Sequence, residues 1–359
     1  MLTAPIFTTS TKTLPGTTSP TAIKMLLYLL LIQCVLGAQN KALSLEEAEK
    51  LTGTELVDYL KTHQTLFEVG ETPASVEGMK HLMDSKYTKI PANVKRVKFE
   101  SDEELPERFD ARERWPRCKS ITYIRDQSKC GSCWAVAAAE VMSDRLCVQS
   151  NGRKNVHLSD TDILACCGEP CGEGCEGGWP YKAWKFLQEY GVVTGGHYRE
   201  KNVCLPYSFH PCGNKTGQPY YGECPSTRYP TPKCRHRCQY GYPFEYPQDK
   251  YYGRSAYYIE NNEKMIRQAI MKDGPVGAAF DVYEDFRQYK GGIYKHTAGK
   301  QTGSHAVKIL GWGKENGTDY WILANSWGVT FGEQGYFRMV RGENDCKIEE
   351  EITAGDLIV

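Results

Sequence analysis

The sequence has no excess of charge of either sign: 44 Lys and Arg balance 44 Asp and Glu over 359 residues. No global field exists to draw in nucleic acid or an anionic membrane surface, so a polyanion-binding role is disfavoured. There is no internal repeat of fixed period, which argues against solenoid and propeller architectures. The apolar run Leu26–Leu36 is too short to span a bilayer, which takes roughly 20 residues. Residues 39–104 contain neither cysteine nor tryptophan. Set against these absences, 40% hydrophobic and 25% charged residues describe a globular chain. Its length suits about two ordinary domains, or one catalytic unit with accessory segments.

What is abundant is cysteine. Of the 15 cysteines, 13 lie between Cys118 and Cys238, more than a reducing compartment usually tolerates. Zinc is the competing reading, because Cys167, Cys171 and Cys175, and Cys234 with Cys238, have spacings a metal could use. One site needs far fewer cysteines than this stretch holds, however, and a secretory leader precedes it, so no metal site is assigned. The leader occupies residues 1–38: Lys24, then Leu26–Leu36, then the small residues Gly37 and Ala38. The Thr-, Ser- and Pro-rich residues ahead of it are an odd preface to a signal peptide and suggest Met25 as the true start. Cys34 leaves with the leader, so 14 cysteines remain.

From residue 39 to 104 the helical pattern Leu43, Leu51, Leu56, Tyr59 and Leu60 is set among charges, and charges dominate Lys95 to Glu104. Such a junction before Leu105 and Pro106 suits an exposed cleavage site, or a plain linker. After it, strong helix formers free of Gly and Pro predict a helix from about Cys133 to Cys147. A second is predicted over Pro180–Tyr190, with Gly191 just past its end. Residues 198–252 show no sustained period and predict loops held by disulfides. The C-terminal third turns to strands, with Ala306–Leu310 and Tyr320–Ala324 flanking the hairpin signal Asn316-Gly317.

Cys133 falls in the first turn of the predicted helix, where unpaired backbone N–H groups and the helix dipole favour a thiolate. His305 and Asn325 flank the Asn316-Gly317 hairpin at similar distances, so adjacent antiparallel strands could bring them together. Each signal alone is weak. Together, Gln127 with Cys130-Gly131-Ser132-Cys133-Trp134-Ala135, His305 before Ala306, and Asn325-Ser326-Trp327-Gly328 resemble the papain family of cysteine peptidases in order and spacing. Phe109-Asp110-Ala111-Arg112, Cys166-Cys167-Gly168, Gly174 to Gly178 and a Cys-rich insertion at about 204–238 narrow the resemblance to animal cathepsin B-like peptidases.

The resemblance implies an α+β, papain-like fold of two subdomains over residues 105–359: a helical left half, a β-barrel-like right half and a cleft between them. It makes Cys133 the nucleophile, His305 the general base and acid, Asn325 the group that orients the ring, and Gln127 a donor in the oxyanion hole. Trp327 would shield the His–Asn hydrogen bond from water. The disulfides it implies are Cys118–Cys147, Cys130–Cys175, Cys166–Cys234, Cys167–Cys171, Cys204–Cys238 and Cys212–Cys224, with Cys346 left free and buried. Glu351 would sit at the base of the pocket for the second residue before the scissile bond and accept Arg there, although Glu349–Glu351 also reads as a solvated acidic run. Gly177 and Gly178 would line the cleft.

Residues 39–104 would be an inhibitory propeptide. Asn214 and Asn316 head glycosylation sequons. The expected product is a monomeric, secreted or lysosomal peptidase, made as a zymogen, that acts on peptide and protein substrates. It is expected to need no cofactor and to be open to cystatin-type inhibitors. Relatives carry a His-His pair in the occluding loop closed by Cys212 and Cys224; here Asn214 and Lys215 stand in its place, so endopeptidase cleavage is expected to dominate over dipeptide release. The alternative is a catalytically silent binding protein on the same scaffold, a class whose members typically lose the nucleophile.

Overall fold

The computed structural model describes residues 42–90, 94, 96–99, 103–213 and 219–359, and Leu45 onward forms one unit. The leader, Asn214 and Lys215 fall outside the described residues. The strands, in chain order, are β1 (Phe67–Val69), β2 (Arg96–Val97), β3 (Phe109–Asp110), β4 (Tyr257–Ile259), β5 (Val276–Tyr283), β6 (Tyr289–Tyr294), β7 (Gln301–Glu315), β8 (Thr318–Ala324), β9 (Tyr336–Val340) and β10 (Glu351–Ala354). The turn between β7 and β8 is the expected one: Asn316 and Gly317 take φ values of 50° and 85°, the left-handed pair that a two-residue hairpin requires. Antiparallel pairing then sets Lys308 opposite Ala324.

The sheet runs β1-β6-β9-β8-β7-β5-β10-β4-β2, with β3 paired to β7. It does not close into the expected barrel. Closure needs the first and last strands to pair, and both end positions are taken by short strands from residues 39–104. β1 lies antiparallel to β6 and β2 parallel to β4, so this stretch covers both edges of the sheet.

On the left, the helix Cys133–Gln149 is buried on every face from Cys133 to Cys147, because small residues such as Ala135 and Ala137 to Ala139 let its neighbours approach closely. It is clamped to β7 by Asp144 and Lys308, whose carboxylate and ammonium meet at 2.9 Å with both side chains fully buried. The second predicted helix forms as Pro180–Glu189, and Gly191 at φ 70° turns the chain just past its end. In residues 39–104, Leu56 and Leu60 bury one face of the helix Gly53–His63, whereas Leu43 is exposed and takes no part in that stripe. Two cores result. One underlies the sheet and includes Leu56, Leu60 and Phe67; the other surrounds Trp134, Met142 and Trp184.

All six disulfides form with the expected partners. Cys133 is free and buried, and Cys346 is free but only half-buried. Between Tyr198 and Tyr252 the described chain is mostly irregular, and Cys204–Cys238, Cys212–Cys224 and Cys166–Cys234 hold it together with a small cluster of Val193, Cys204 and Tyr246.

Candidate active site

Cys133 is the first residue of its helix, so its thiol stands where backbone N–H groups emerge unpaired. The preceding loop is rigid. Cys130 is disulfide-bonded to Cys175, the Gly131 N–H donates to the Cys175 carbonyl at 2.7 Å, and the Ser132 and Tyr207 hydroxyls meet at 2.7 Å. His305 comes from β7 and Asn325 from just past the end of β8, so the hairpin brings the pair together as expected. His305 Nε2 lies 2.8 Å from Asn325 Oδ1, and the same oxygen accepts the Ser326 N–H at 2.7 Å.

That second bond settles the proton on the ring. The Ser326 N–H can only donate, so the Asn325 atom facing it is an acceptor, and Nε2 must carry hydrogen to share it. The lone pair of a neutral His305 therefore sits on Nδ1, which is buried with no hydrogen-bond partner. The backbone N–H of Ala306, the residue beside His305, pulls the Cys133 thiol toward the thiolate. Trp327 is 3% exposed and packs 4.9 Å from the His305 ring.

Gln127 faces the same point. Its Oε1 accepts the Ser326 hydroxyl at 2.7 Å, which fixes the amide so that Nε2 donates to the carbonyls of Cys130 at 2.9 Å and His81 at 3.3 Å. His81 belongs to residues 39–104, and its neighbours cover the whole site. Gly78 lies flat on Trp327, where a Cβ would come 2.2 Å from the indole. Met83 exchanges backbone hydrogen bonds of 3.0 Å with Ser304. Tyr87 covers Gly177, where a Cβ would strike the ring at 2.5 Å, and meets Trp179 edge-on at 4.8 Å. Gly178 is needed for a different reason: its missing Cβ leaves room for the Trp134 indole and the Cys171 carbonyl. An inhibitory propeptide over residues 39–104 was expected, but His81, Met83 and Tyr87 form no periodic pattern that marks them as the residues covering the site. The role of Ser326 was missed too, although it lies inside a motif singled out above.

Covering the site changes its electrostatics. Burial pushes the Cys133 thiol up to about 11, against the pull of the Ala306 and Trp134 backbone N–H groups. Burial also pushes His305 down to about 4, opposed by its bond to Asn325. Under the segment, thiol and imidazole are both neutral.

Glu351 starts β10 opposite Ala279, and Ala279 lies opposite Ala306, so the three share one sheet face. Ala279 and Ala306 pack in the cluster that holds Cys133 and Met83. Glu351 is 2% exposed and Glu349 is 4% exposed, which overturns the solvated-run reading. Neither Glu351 oxygen has a hydrogen-bond partner, and burial raises its carboxyl well above the usual range, opposed by Arg96. Asn316 stands exposed at the tip of its turn. No helix among the described residues is long and apolar enough to cross a membrane. Cys166, Cys234 and His236 are close enough to hold a metal ion, but the two cysteines are bonded to each other and so are not free ligands.

Alkylation of Cys133 by iodoacetamide follows from this electrostatics. In the intact chain the rate should climb only as pH approaches about 11, because the thiolate forms there. After cleavage behind the covering segment, it should be fast at a pH several units lower. Equal profiles before and after cleavage would refute the account.

Comparison with known proteins agrees with the geometry. "Cathepsin B-like cysteine proteinase 1" of Haemonchus contortus is 51% identical over 311 residues, covering 86% of this chain and 90% of that protein. The "Gut-specific cysteine proteinase" of Caenorhabditis elegans is 47% identical, covering 86% and 91%. Among solved structures, procathepsin B S9 from Trypanosoma congolense matches with a TM-score of 0.72 and 34% identity, over 87% of this chain and all of that one. Digestive procathepsin L 3 of Tenebrio molitor, at 21% identity and TM-score 0.59, shares the fold over 96% of this chain and 95% of its own. Residues 105–355 match the papain family cysteine protease model, and this chain belongs to that family as a cathepsin B-like cysteine peptidase.

Proposed function

We propose that the protein is a cysteine endopeptidase made as a zymogen, with Cys133 as nucleophile. The observation that carries this is the fixed tautomer: Asn325 holds hydrogen on Nε2 of His305 and leaves Nδ1 to take the thiol proton. Once the cleft is open, the Cys133 thiolate attacks the substrate carbonyl carbon. The developing oxyanion is stabilised by the Gln127 side-chain amide and the Cys133 backbone N–H; losing one such donor costs on the order of 10²–10³ in rate. His305 then gives its proton to the leaving amine as the C–N bond breaks. It takes a proton from the water that releases the acyl group, restoring the starting state.

Residues 39–104 act as the inhibitor, with removal near Glu104. Support comes from the backbone pairing of Met83 with Ser304 and from the His81 carbonyl, which uses up the Gln127 amide. Neutralising the Cys133–His305 pair adds a second layer of silence. Glu351 forms the base of the pocket for the second residue before the scissile bond, because two unpartnered carboxylate oxygens suit the paired donors of an Arg side chain. Gly177 gives that substrate backbone room to approach.

Endopeptidase cleavage dominates. On the far side of Trp327, a hollow is lined by Glu77, Asp126, Ser128, Lys129, Glu223 and the Cys212–Cys224 disulfide. Glu77 leaves with residues 39–104, after which Asp126 and Glu223 remain beside Lys129, with no His pair to capture a substrate's terminal carboxylate. His210, the nearest imidazole, is engaged by the Pro211 carbonyl and the Tyr229 hydroxyl. Secretion or delivery to a lysosome, glycosylation at Asn316, a monomeric state and sensitivity to cystatins complete the reading.

Cys133→Ala should abolish hydrolysis of a blocked peptide amide while leaving the thermal midpoint of the precursor unchanged; retained turnover would remove Cys133 from the mechanism. With peptides of free C-terminus, mass spectrometry should show internal cuts first, and stepwise dipeptide release as the main product would refute the endopeptidase assignment. Glu351→Gln should lower kcat/KM by about tenfold or more for Arg at the second position and spare Phe there; an equal loss on both would remove Glu351 from the pocket.

A further inference from the structure

Arg228 belongs to the Cys-rich insertion, yet it reaches into the cleft. One guanidinium nitrogen, Nη2, donates to the carbonyls of Lys80 at 3.2 Å and Leu82 at 2.9 Å. The carbonyl between these two, that of His81, is the one held by Gln127. Three successive carbonyls of a chain lying in the cleft are thus gripped in turn by Arg228, Gln127 and Arg228. The other nitrogen, Nη1, pairs with Glu176 at 2.8 Å and lies 3.4 Å from the Cys175 carbonyl, over Gly131.

The placement of this side chain is not accidental to a loose loop. Tyr229, the next residue, donates its N–H to the Lys129 carbonyl at 2.9 Å and stacks on Phe209 at 4.4 Å. Thr231 accepts the Cys175 N–H at 3.0 Å. The Cys212–Cys224 and Cys166–Cys234 disulfides close the segment on either side. Glu176 holds the guanidinium plane from below, and the arginine is only partly buried, so its donors face whatever occupies the cleft.

Lys80 and Leu82 contribute only main-chain oxygens to this contact, and any extended peptide offers the same groups. We propose that Arg228 is a substrate-positioning residue, whose Nη2 takes a main-chain carbonyl of the substrate on the acyl side of the scissile bond once the covering segment has left. The proposal rests on the cysteine peptidase reading and adds to it a residue outside the Cys133, His305, Asn325 and Gln127 set. Its charge also acts through space on Cys133, where it favours the thiolate.

The test uses the cleaved, active enzyme, with active sites counted by iodoacetamide incorporation so that misfolded material is excluded. Two variants separate geometry from charge: Arg228→Gln loses both, while Arg228→Lys keeps the charge as a single point donor. The two substrates are a blocked tetrapeptide amide and the nitrophenyl ester of acetate, which has no carbonyl beyond the one attacked. Arg228→Gln should lower kcat/KM on the tetrapeptide roughly tenfold, mainly through KM. On the ester, above the thiol titration, it should change the rate by less than about twofold, and it should move the acid limb of the pH profile to higher pH. Arg228→Lys should restore that limb but not KM. An equal loss on both substrates would assign Arg228 a merely structural role and overturn the proposal, as would a KM unchanged in Arg228→Gln. A parent enzyme whose hydrolysis survives Cys133→Ala would instead refute the cysteine mechanism, a result distinct from either.

Discussion

The buried ion pair between Asp144 and Lys308 is the contact on which the rest of the site depends. It joins the helix that begins at Cys133 to the strand that carries His305, with both side chains fully buried. Removing one partner of such a pair typically costs about 3–5 kcal/mol, because the other charge is left uncompensated. Cys133 and His305 come from different halves of the molecule, so their alignment is only as good as the fit of that helix against the sheet. A helix enclosed on every face cannot shift without disturbing both cores. The hairpin around Asn316 and Gly317 then sets Asn325 beside His305, and Ser326, next in the chain, fixes both the Asn325 acceptor and the Gln127 amide. One short stretch of β8 and its exit therefore orients three polar groups at once.

The N-terminal stretch exploits this geometry from outside. Its helix Gly53–His63 packs into the sheet core, β1 and β2 take the two sheet edges, and the chain between them crosses the site. Because the crossing excludes water, it does more than block access. A thiolate beside an imidazolium is favoured where water and N–H donors can stabilise charge; under Met83 and Tyr87 desolvation outweighs those donors and the neutral pair is preferred. The contacts that do this are backbone pairings and a carbonyl in the place of an oxyanion, which explains why an inhibitor segment without tryptophan or cysteine can grip the cleft.

Much of the fold was legible from local chemistry. The Ala-rich run after Cys133, Pro180 with Gly191, and Asn316-Gly317 all mark elements through backbone preferences; both helices and the strand Thr318–Ala324 form within two residues of their expected bounds, whereas the strand expected at Ala306–Leu310 runs on as Gln301–Glu315. The meeting of His305 with Asn325 was legible because a hairpin fixes what lies beside what, whereas Cys133 was joined to them only through the family resemblance. Contacts between distant segments were not. Neither the open sheet with its two borrowed end strands nor the burial of Glu351 follows from any local pattern, since both depend on which distant chain arrives to cover them. Arg228 was invisible for the same reason: in an irregular stretch, direction is set by the disulfides and by Tyr229 and Thr231 rather than by periodicity.

The central claim is that the covering segment silences the site by holding Cys133 and His305 neutral. The most direct measurement is the protonation state of His305, read from ring nitrogen chemical shifts in histidine-labelled protein at pH 6, before and after cleavage of the N-terminal stretch. The account predicts a neutral ring in the intact chain, with hydrogen on Nε2, because burial holds its pKa near 4. It predicts an imidazolium in the cleaved enzyme. An imidazolium already present in the intact chain at that pH would contradict it.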